Sequence, residues 1–212
     1  ISTVLVSTPA ININQARLET RRMSEIVIDM FDRTMDVFHN PAEKLGDKIE
    51  EIMKLENTVD RLEKEISDYL VTISQHNISQ EQSHEISNML HMVNEIERIG
   101  DQSESILKLI RRKYDQKIEF TNQAVKGIDE IASKVREALQ LINNSISVKS
   151  IDILPNARVI EDRIDELRKE LRKGHVSRLN KRQCDVDSGL IFIDMLSKFE
   201  KIGDHAFNVA ES

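Results

Sequence analysis

Glu97-Arg98-Ile99-Gly100-Asp101 and Glu200-Lys201-Ile202-Gly203-Asp204 are two copies of one pentapeptide, Glu-(Arg/Lys)-Ile-Gly-Asp, and their reading decides the fold. Each copy follows an earlier acidic pair of the same spacing, Glu56 with Asp60 and Glu161 with Asp165. Those pairs sit in matching text, Leu-Glu-x-x-Val-Asp and Ile-Glu-x-x-Ile-Asp. Repetition over this range makes the chain a duplicated unit before any secondary structure is assigned.

Outward from these strings, apolar residues three and four apart predict six helices. The first runs from about Ile13 to Phe38, entered through Thr8 as cap and Pro9 as first helical residue, and ends at His39-Asn40-Pro41. The second carries Ile49, Ile52, Val59, Ile66, Leu70 and Ile73; Ser79 with Gln82 forms a capping-box signal for the third, which stacks Ile86, Leu90, Val93, Leu107 and Ile110. A polar link from Tyr114 to Glu119 precedes helix four, opened by Phe120 and Thr121 and striped by Val125, Ile128, Ala132, Val135, Leu139, Ile142 and Ile146. Helix five starts near Pro155 and carries Ile160, Ile164, Leu167 and Leu171; helix six carries Leu190, Ile193, Leu196 and Phe207. The expected fold is all-α, two three-helix repeats in one elongated six-helix bundle. The repeats cover 11–117 and 118–212, with 1–10 as a linker.

Residues four apart on a helix share a face, with Cβ atoms roughly 5–6 Å apart. Each Glu-x-x-x-Asp therefore sets two negative charges side by side, at a cost of about 0.2–0.5 kcal/mol on an exposed helix. Glu56, Glu97, Glu161 and Glu200 each fall three or four residues from members of the apolar stripe and so interrupt it, where an unpaired carboxylate is expensive. Asp60 and Glu97, like Glu56 and Asp101, are symmetric about the junction between Ile78 and Ser79, where capping independently predicts a turn. The second set is symmetric about the junction between Arg182 and Gln183, in a polar stretch. Two antiparallel hairpins would thus gather two four-carboxylate clusters.

Clustered oxygen ligands suit hard cations such as Mg²⁺, Ca²⁺, Mn²⁺ or iron. The histidine three residues after glutamate that marks ferritin-like di-iron bundles is absent. Gly100 and Gly203 stand there instead, each costing roughly 0.8–1 kcal/mol against alanine, which suggests close helix approach or ion access. His205 could add a nitrogen ligand, although the first copy has Gln102 at that place. The plainer reading pairs the acids with Arg61, Arg98, Arg163 and Lys201. Four pairs with matched hairpin symmetry favour a metal or polar-ligand site.

The composition agrees with a long-helix protein. Of 212 residues, 32% are charged and only 4% aromatic, with 6 Gly and 3 Pro. A net charge of −7 argues against nucleic acid as the main partner, because that affinity rests on neutralising phosphates. Cys184 is alone, so no internal disulfide forms. No apolar run approaches the ~20 residues of a spanning helix. The chain begins Ile1-Ser2-Thr3-Val4 without methionine, as expected of a processed protein or an excised piece.

Glu200-Lys201-Ile202-Gly203-Asp204-His205-Ala206-x-Asn208-x-Ala210-Glu211 resembles the signature helix of the PhoU family. The resemblance implies two three-helix repeats, a regulator of phosphate uptake, and iron, zinc or other divalent ions on the paired acids; with the oxygen-donor chemistry, the expected cofactors are iron, zinc, manganese or magnesium. The implied ligands are Glu56, Asp60, Glu97 and Asp101, then Glu161, Asp165, Glu200 and Asp204. The first copy departs from the pattern after Asp101, with Gln102-Ser103-Glu104 in place of the His-Ala stretch. Ser7-Thr8-Pro9-Ala10 with Asn14-Gln15-Ala16-Arg17 resembles the junction where bacterial sodium/phosphate cotransporters pass into a cytosolic PhoU-like tail. The expected partner is therefore a membrane transporter domain at the cytosolic face of the inner membrane. The alternative is a free-standing regulator of an ABC phosphate transporter and its sensor kinase. A second copy of the chain is a further candidate partner.

From other classes, a metal-dependent phosphohydrolase would need a general base that the sequence does not offer, and a metal-free scaffold would leave the acids unexplained. The basic run Arg168, Lys169, Arg172, Lys173, His175, Arg178, Lys181, Arg182 reads first as a solvated helix end complementing its dipole, and second as a patch facing anionic lipid. The seven methionines read as packing.

Overall fold

Pro9, with no amide hydrogen to leave unsatisfied, begins the first helix, and Thr8 caps it through its carbonyl, which accepts from Ile11 and Asn12. The Thr8 hydroxyl makes no capping bond, so the sequence found the position but not the mode of capping. The computed structural model describes residues 8–40, 45–146 and 153–212. Residues 1–7 of the expected linker and Pro41 at the expected first turn lie outside them, and Pro9 already belongs to a helix.

Six helices follow in order: α1 (Pro9–His39), α2 (Leu45–Ser74), α3 (Gln80–Asp115), α4 (Asn122–Ile146), α5 (Leu154–Asn180) and α6 (Val186–Glu211). The described residues contain no strand, and the fold is all-α. None of these helices is long and apolar enough to cross a membrane. The capping box at Ser79 forms in both directions: Gln82 donates its amide to the Ser79 hydroxyl, and its side chain accepts from the Ser79 amide. Thr121 caps α4 by accepting from the Ala124 amide.

Each repeat is a three-helix unit. α1 packs on α2 and α3, and α4 packs on α5 and α6. The repeats join where α3 meets α6 and α1 meets α4. α3 and α6 run antiparallel: Glu95 bonds to His205 and Asn208, and His91 near the start of α3 reaches Ser212 after the end of α6. The α2–α3 and α5–α6 turns therefore lie at opposite ends of the bundle. Phe31 meets Phe199 edge-on with centroids 6.2 Å apart, tying α1 to α6 across the repeats.

The stripes read for α2 to α5 are the buried ones, with Ile49, Leu90, Val125 and Leu171 at their half-buried margins. Helix six differs. Its core face is Ile191, Phe192, Met195, Leu196, Phe199, Ile202, Ala206 and Val209, whereas Leu190 is exposed and Phe207 only half-buried. The helix is apolar on more than one side, so spacing alone admits two registers; of the four residues read, Leu196 belongs to the core face, Ile193 and Phe207 are half-buried, and Leu190 is exposed.

Candidate functional site

The helix layer α2-α3-α6-α5 carries all eight predicted acids, two per helix. Val59 and Leu62 on α2, and Ile96 and Ile99 on α3, hold the buried seam. The acids flank that seam: Glu56 and Glu97 are half-buried, while Asp60 and Asp101 are exposed at its outer edge. They line a groove rather than interrupting the core stripe, which corrects the expectation from spacing. The second repeat matches, with Glu161, Asp165 and Glu200 half-buried and Asp204 exposed.

The hairpins bring the pairs together as charges that feel one another. Glu97 is pushed up to about 7, first by burial and then by Asp101, Asp60 and Glu63. Burial raises Asp101 as well, helped by Asp60 and Glu104, and raises Glu56 with help from Asp60, Glu104 and Asp101. In the second groove burial raises Glu161, Glu200 and Asp204, and Asp165 adds repulsion to each. As the side chains stand, no three His, Cys, Asp or Glu among the described residues close into a ligating group. The donors are neighbours across a groove, but splayed.

The counter-ions of the plainer reading are elsewhere. Arg98 stands by Glu95, and Arg163 by Glu130, Glu166 and Glu170. Arg61 and Lys201 form no ion pair among the described residues. Instead Arg168 reaches Glu200 at 3.3 Å and Lys169 reaches Asp165 at 2.8 Å, both from the run read as a solvated helix end. The other six acids have no ion pair among the described residues.

The two grooves are unequal. On α2 and α3 the acidic face continues three residues on, to Glu63 and Glu104. At the matching places of the second repeat stand Arg168 and Phe207. The first groove thus gathers six carboxylates with one cation in salt-bridge contact, Lys108 on Glu104, and the second gathers four with two, Arg168 on Glu200 and Lys169 on Asp165. The spacing of three would have found Glu63 and Glu104; Arg168 needed the fold.

Between the grooves lies a group that sequence reasoning missed. Glu95 is 3% exposed and accepts from Asn208 at 2.8 Å, with His205 Nδ1 at 2.9 Å. Burial alone would raise its pKa, but the bonds from Asn208 and His205 bring it below the ordinary range. An ionised Glu95 requires the proton on Nδ1 of His205. A carboxylate behind a histidine in this way fixes the ring and its tautomer. Asn208 lay in the signature string without a role, and nothing in sequence separates Glu95 from surface glutamates.

Gly100 and Gly203 sit where helices meet. A Cβ on Gly203 would come 3.0 Å from Ile164 Cδ1 and 3.3 Å from its Cγ2, whereas one on Gly100 would meet Val59 at an ordinary 3.4 Å. His175, read with the basic run, is buried against Phe192 with Nδ1 3.8 Å from the Cys184 sulfur. Its ring occupies the space left by Gly189. A cleft of about 390 Å³ at the other end of the bundle includes Arg17, Glu85 and Met89, remote from the acids.

A PhoU-domain family model matches residues 20–110 and 128–212, one stretch in each repeat. The chain belongs to the PhoU family. It is similar to "Phosphate-specific transport system accessory protein PhoU homolog 1" of Thermotoga maritima, 25% identical over 91% of this chain and 82% of that protein. A PhoU homologue of Clostridium acetobutylicum, named likewise, is 23% identical over 95% of this chain and 90% of its own length. The fold matches the crystal structure of PhoU from Pseudomonas aeruginosa with a TM-score of 0.85 at 19% identity, over 96% of each chain. PhoU from Streptococcus pneumoniae follows at 0.81 and 12%, over 96% of this chain and 94% of that one.

Proposed function

We propose that this chain is a non-catalytic regulator of phosphate uptake that acts on a phosphate-specific transport system and holds multivalent cations in its two carboxylate grooves. Support for the first half comes from family membership across both repeats and from relatives that carry the accessory-protein name over nearly their full length. The cotransporter tail expected from Ser7 to Arg17 finds no such support. Ser7 lies outside the described residues, and Asn14 to Arg17 are an ordinary part of α1. The free accessory protein takes its place.

One observation carries the cation half: eight acids converge on two grooves, and six of them lack an ion pair among the described residues while burial and mutual repulsion raise five of those six. An ion would be held by Glu56, Asp60, Glu97 and Asp101 in one groove and by Glu161, Asp165, Glu200 and Asp204 in the other. All-oxygen donors of this kind fit iron, manganese or magnesium better than a soft-ligand site would. A bound cation supplies positive charge that cross-links α2 to α3 or α5 to α6. By mass action such an ion stabilises only the folded hairpin, so occupancy sets how rigid that face is.

The test of the regulatory half is phosphate uptake in cells that carry the intact gene or lack it. Loss of a regulator changes phosphate-replete uptake severalfold, and supplying the chain in trans restores control. Unchanged uptake on deletion contradicts the proposal.

A further inference from the structure

The end of the bundle that bears the α5–α6 turn has a chemistry its counterpart lacks. Beyond Arg168 and Lys169, which pair with Glu200 and Asp165, the chain over 170–187 carries five cations against Glu170, Asp185 and Asp187, in a protein of net charge −7. The matching hairpin of the first repeat, over 65–84, has no Lys or Arg and carries Glu65, Asp68 and Glu81. Phe120, with its ring 6.0 Å from Phe192, brings the α3–α4 link to the basic end and adds Arg111, Arg112 and Lys117 to it. The acids there are partly engaged: Asp115 pairs with Arg111, and Asp185 caps α6 through the Ser188 amide.

Dipole complementation accounts for only part of this. In the last turn of α5 the one basic residue is Arg178. Arg172 and Lys173 lie farther back, and Lys181 and Arg182 beyond the helix. All four are exposed and have no ion pair among the described residues, unlike Arg33, Lys54 and Lys134 along the bundle sides, which stand beside Asp29, Glu50 and Glu137. Exposed apolar side chains sit among them: Val186 at 61%, Leu190 at 51%, Val176 at 44% and, on the α3 end, Tyr114 at 45%.

We propose that this end docks on an anionic phospholipid surface. Unpaired cations set among exposed valine, leucine and tyrosine at one end of the bundle suit lipid headgroups, which accept charge and shallow apolar insertion together. An acidic protein partner would call for a shaped groove with paired polar contacts instead. The contact is separate from the carboxylate grooves and does not depend on their binding metal. It is also separate from any covalent link through α1, whose first turns lie at the other end, where Arg17 pairs with Glu85.

Flotation of the full chain with vesicles tests it. The wild type is expected to float with phosphatidylglycerol-containing vesicles at low salt, to stay behind with pure phosphatidylcholine, and to release as ionic strength rises. Since each cation near such a surface contributes about fivefold, the R172Q/K173Q/K181Q/R182Q variant should bind roughly several hundredfold more weakly. V186N/L190N should lose the salt-resistant part of binding, and K54Q/K134Q on the bundle sides should bind as the wild type does. A wild type that ignores phosphatidylglycerol overturns the proposal, as does a quadruple variant that binds undiminished. Binding to polyglutamate or duplex DNA in preference to vesicles also overturns it, assigning the end to an acidic macromolecule.

Discussion

Glu97 concentrates the tension in the first groove. Its carboxyl is raised to about 7 from an ordinary 4.5, so between those values the folded protein binds more protons than the unfolded one. Stability contributed by the protonated form is present at acid pH and is lost as pH rises through about 7. In metal-free buffer the melting temperature should therefore be higher near pH 5.5 than near pH 8, and Mn²⁺ or Mg²⁺ should remove most of the difference. Glu97→Gln should stabilise the metal-free protein at pH 8 by about 1–2 kcal/mol, a range discounted for solvent screening, and should blunt the response to the cation. A pH-independent melting temperature would show that the repulsion is already relieved.

The glycines give a second residue-scale contrast. Gly→Ala gains up to about 1 kcal/mol from helix propensity. At Gly203 the new methyl meets the β-branched, buried Ile164 at 3.0 Å, and overpacking costs typically 1–3 kcal/mol. Gly203→Ala should lower stability by about 1 kcal/mol, whereas Gly100→Ala should leave it equal or slightly higher. Denaturant unfolding of the two variants checks the order. The sequence marked both glycines as places of close approach; that only one of them is tight depends on whether valine or isoleucine faces it.

At the scale of elements, the helices were legible because their signals are local. Ser79 with Gln82, Pro9, and the regular spacing along α4 each act within a turn or two of the chain. The ambiguous register of α6 has the same origin. Phe199, Ile202 and Phe207 all offer apolar surface, and only the packing of α6 on α3, α4 and α5, with Phe31 against Phe199, selects the first two. The ends of α3 and α5 share a device that residue types conceal. Ile118 bonds back to the Lys113 carbonyl and Lys117 to that of Tyr114, with Lys117 at φ 53°; Gln183, Arg182, Arg178 and Leu179 repeat the pattern with Arg182 at φ 56°. Glycine is the usual occupant of that left-handed position. Lys117→Gly should therefore stabilise the chain by about 1 kcal/mol, read as a higher denaturant midpoint with unchanged slope. A lower midpoint would mean that the lysine makes a contact worth more than the strain.

At the scale of the whole molecule, duplication supplies the plan and divergence the specialisation. Hairpin symmetry about Ile78–Ser79 and Arg182–Gln183 placed all eight acids in two grooves from sequence alone. Spacing of four on α5 accounts for Lys169 beside Asp165, but arithmetic along the chain could not show that Arg168 would reach Glu200, nor that Glu95, His205 and Asn208 would join the repeats between the grooves. Those contacts cross helices whose relative rotation only packing fixes. The resulting inequality predicts an order of filling. With six carboxylates, of which Glu104 alone has an ion pair among the described residues, the first groove should bind a divalent cation more tightly than the second, where Arg168 already neutralises Glu200. Arg168→Ala should raise the affinity of the second groove severalfold in calorimetric titration, and unchanged affinity would rule out the internal cation as a competitor.

The most direct test of the central claim is the metal content of the chain purified without chelator, by elemental analysis, beside E97Q/D101N and E200Q/D204N. Bound iron, manganese, zinc or magnesium in the wild type is predicted, with each double variant losing the share of its own groove. A metal-free wild type that also takes up none on titration, or variants that retain the full complement, would contradict the account.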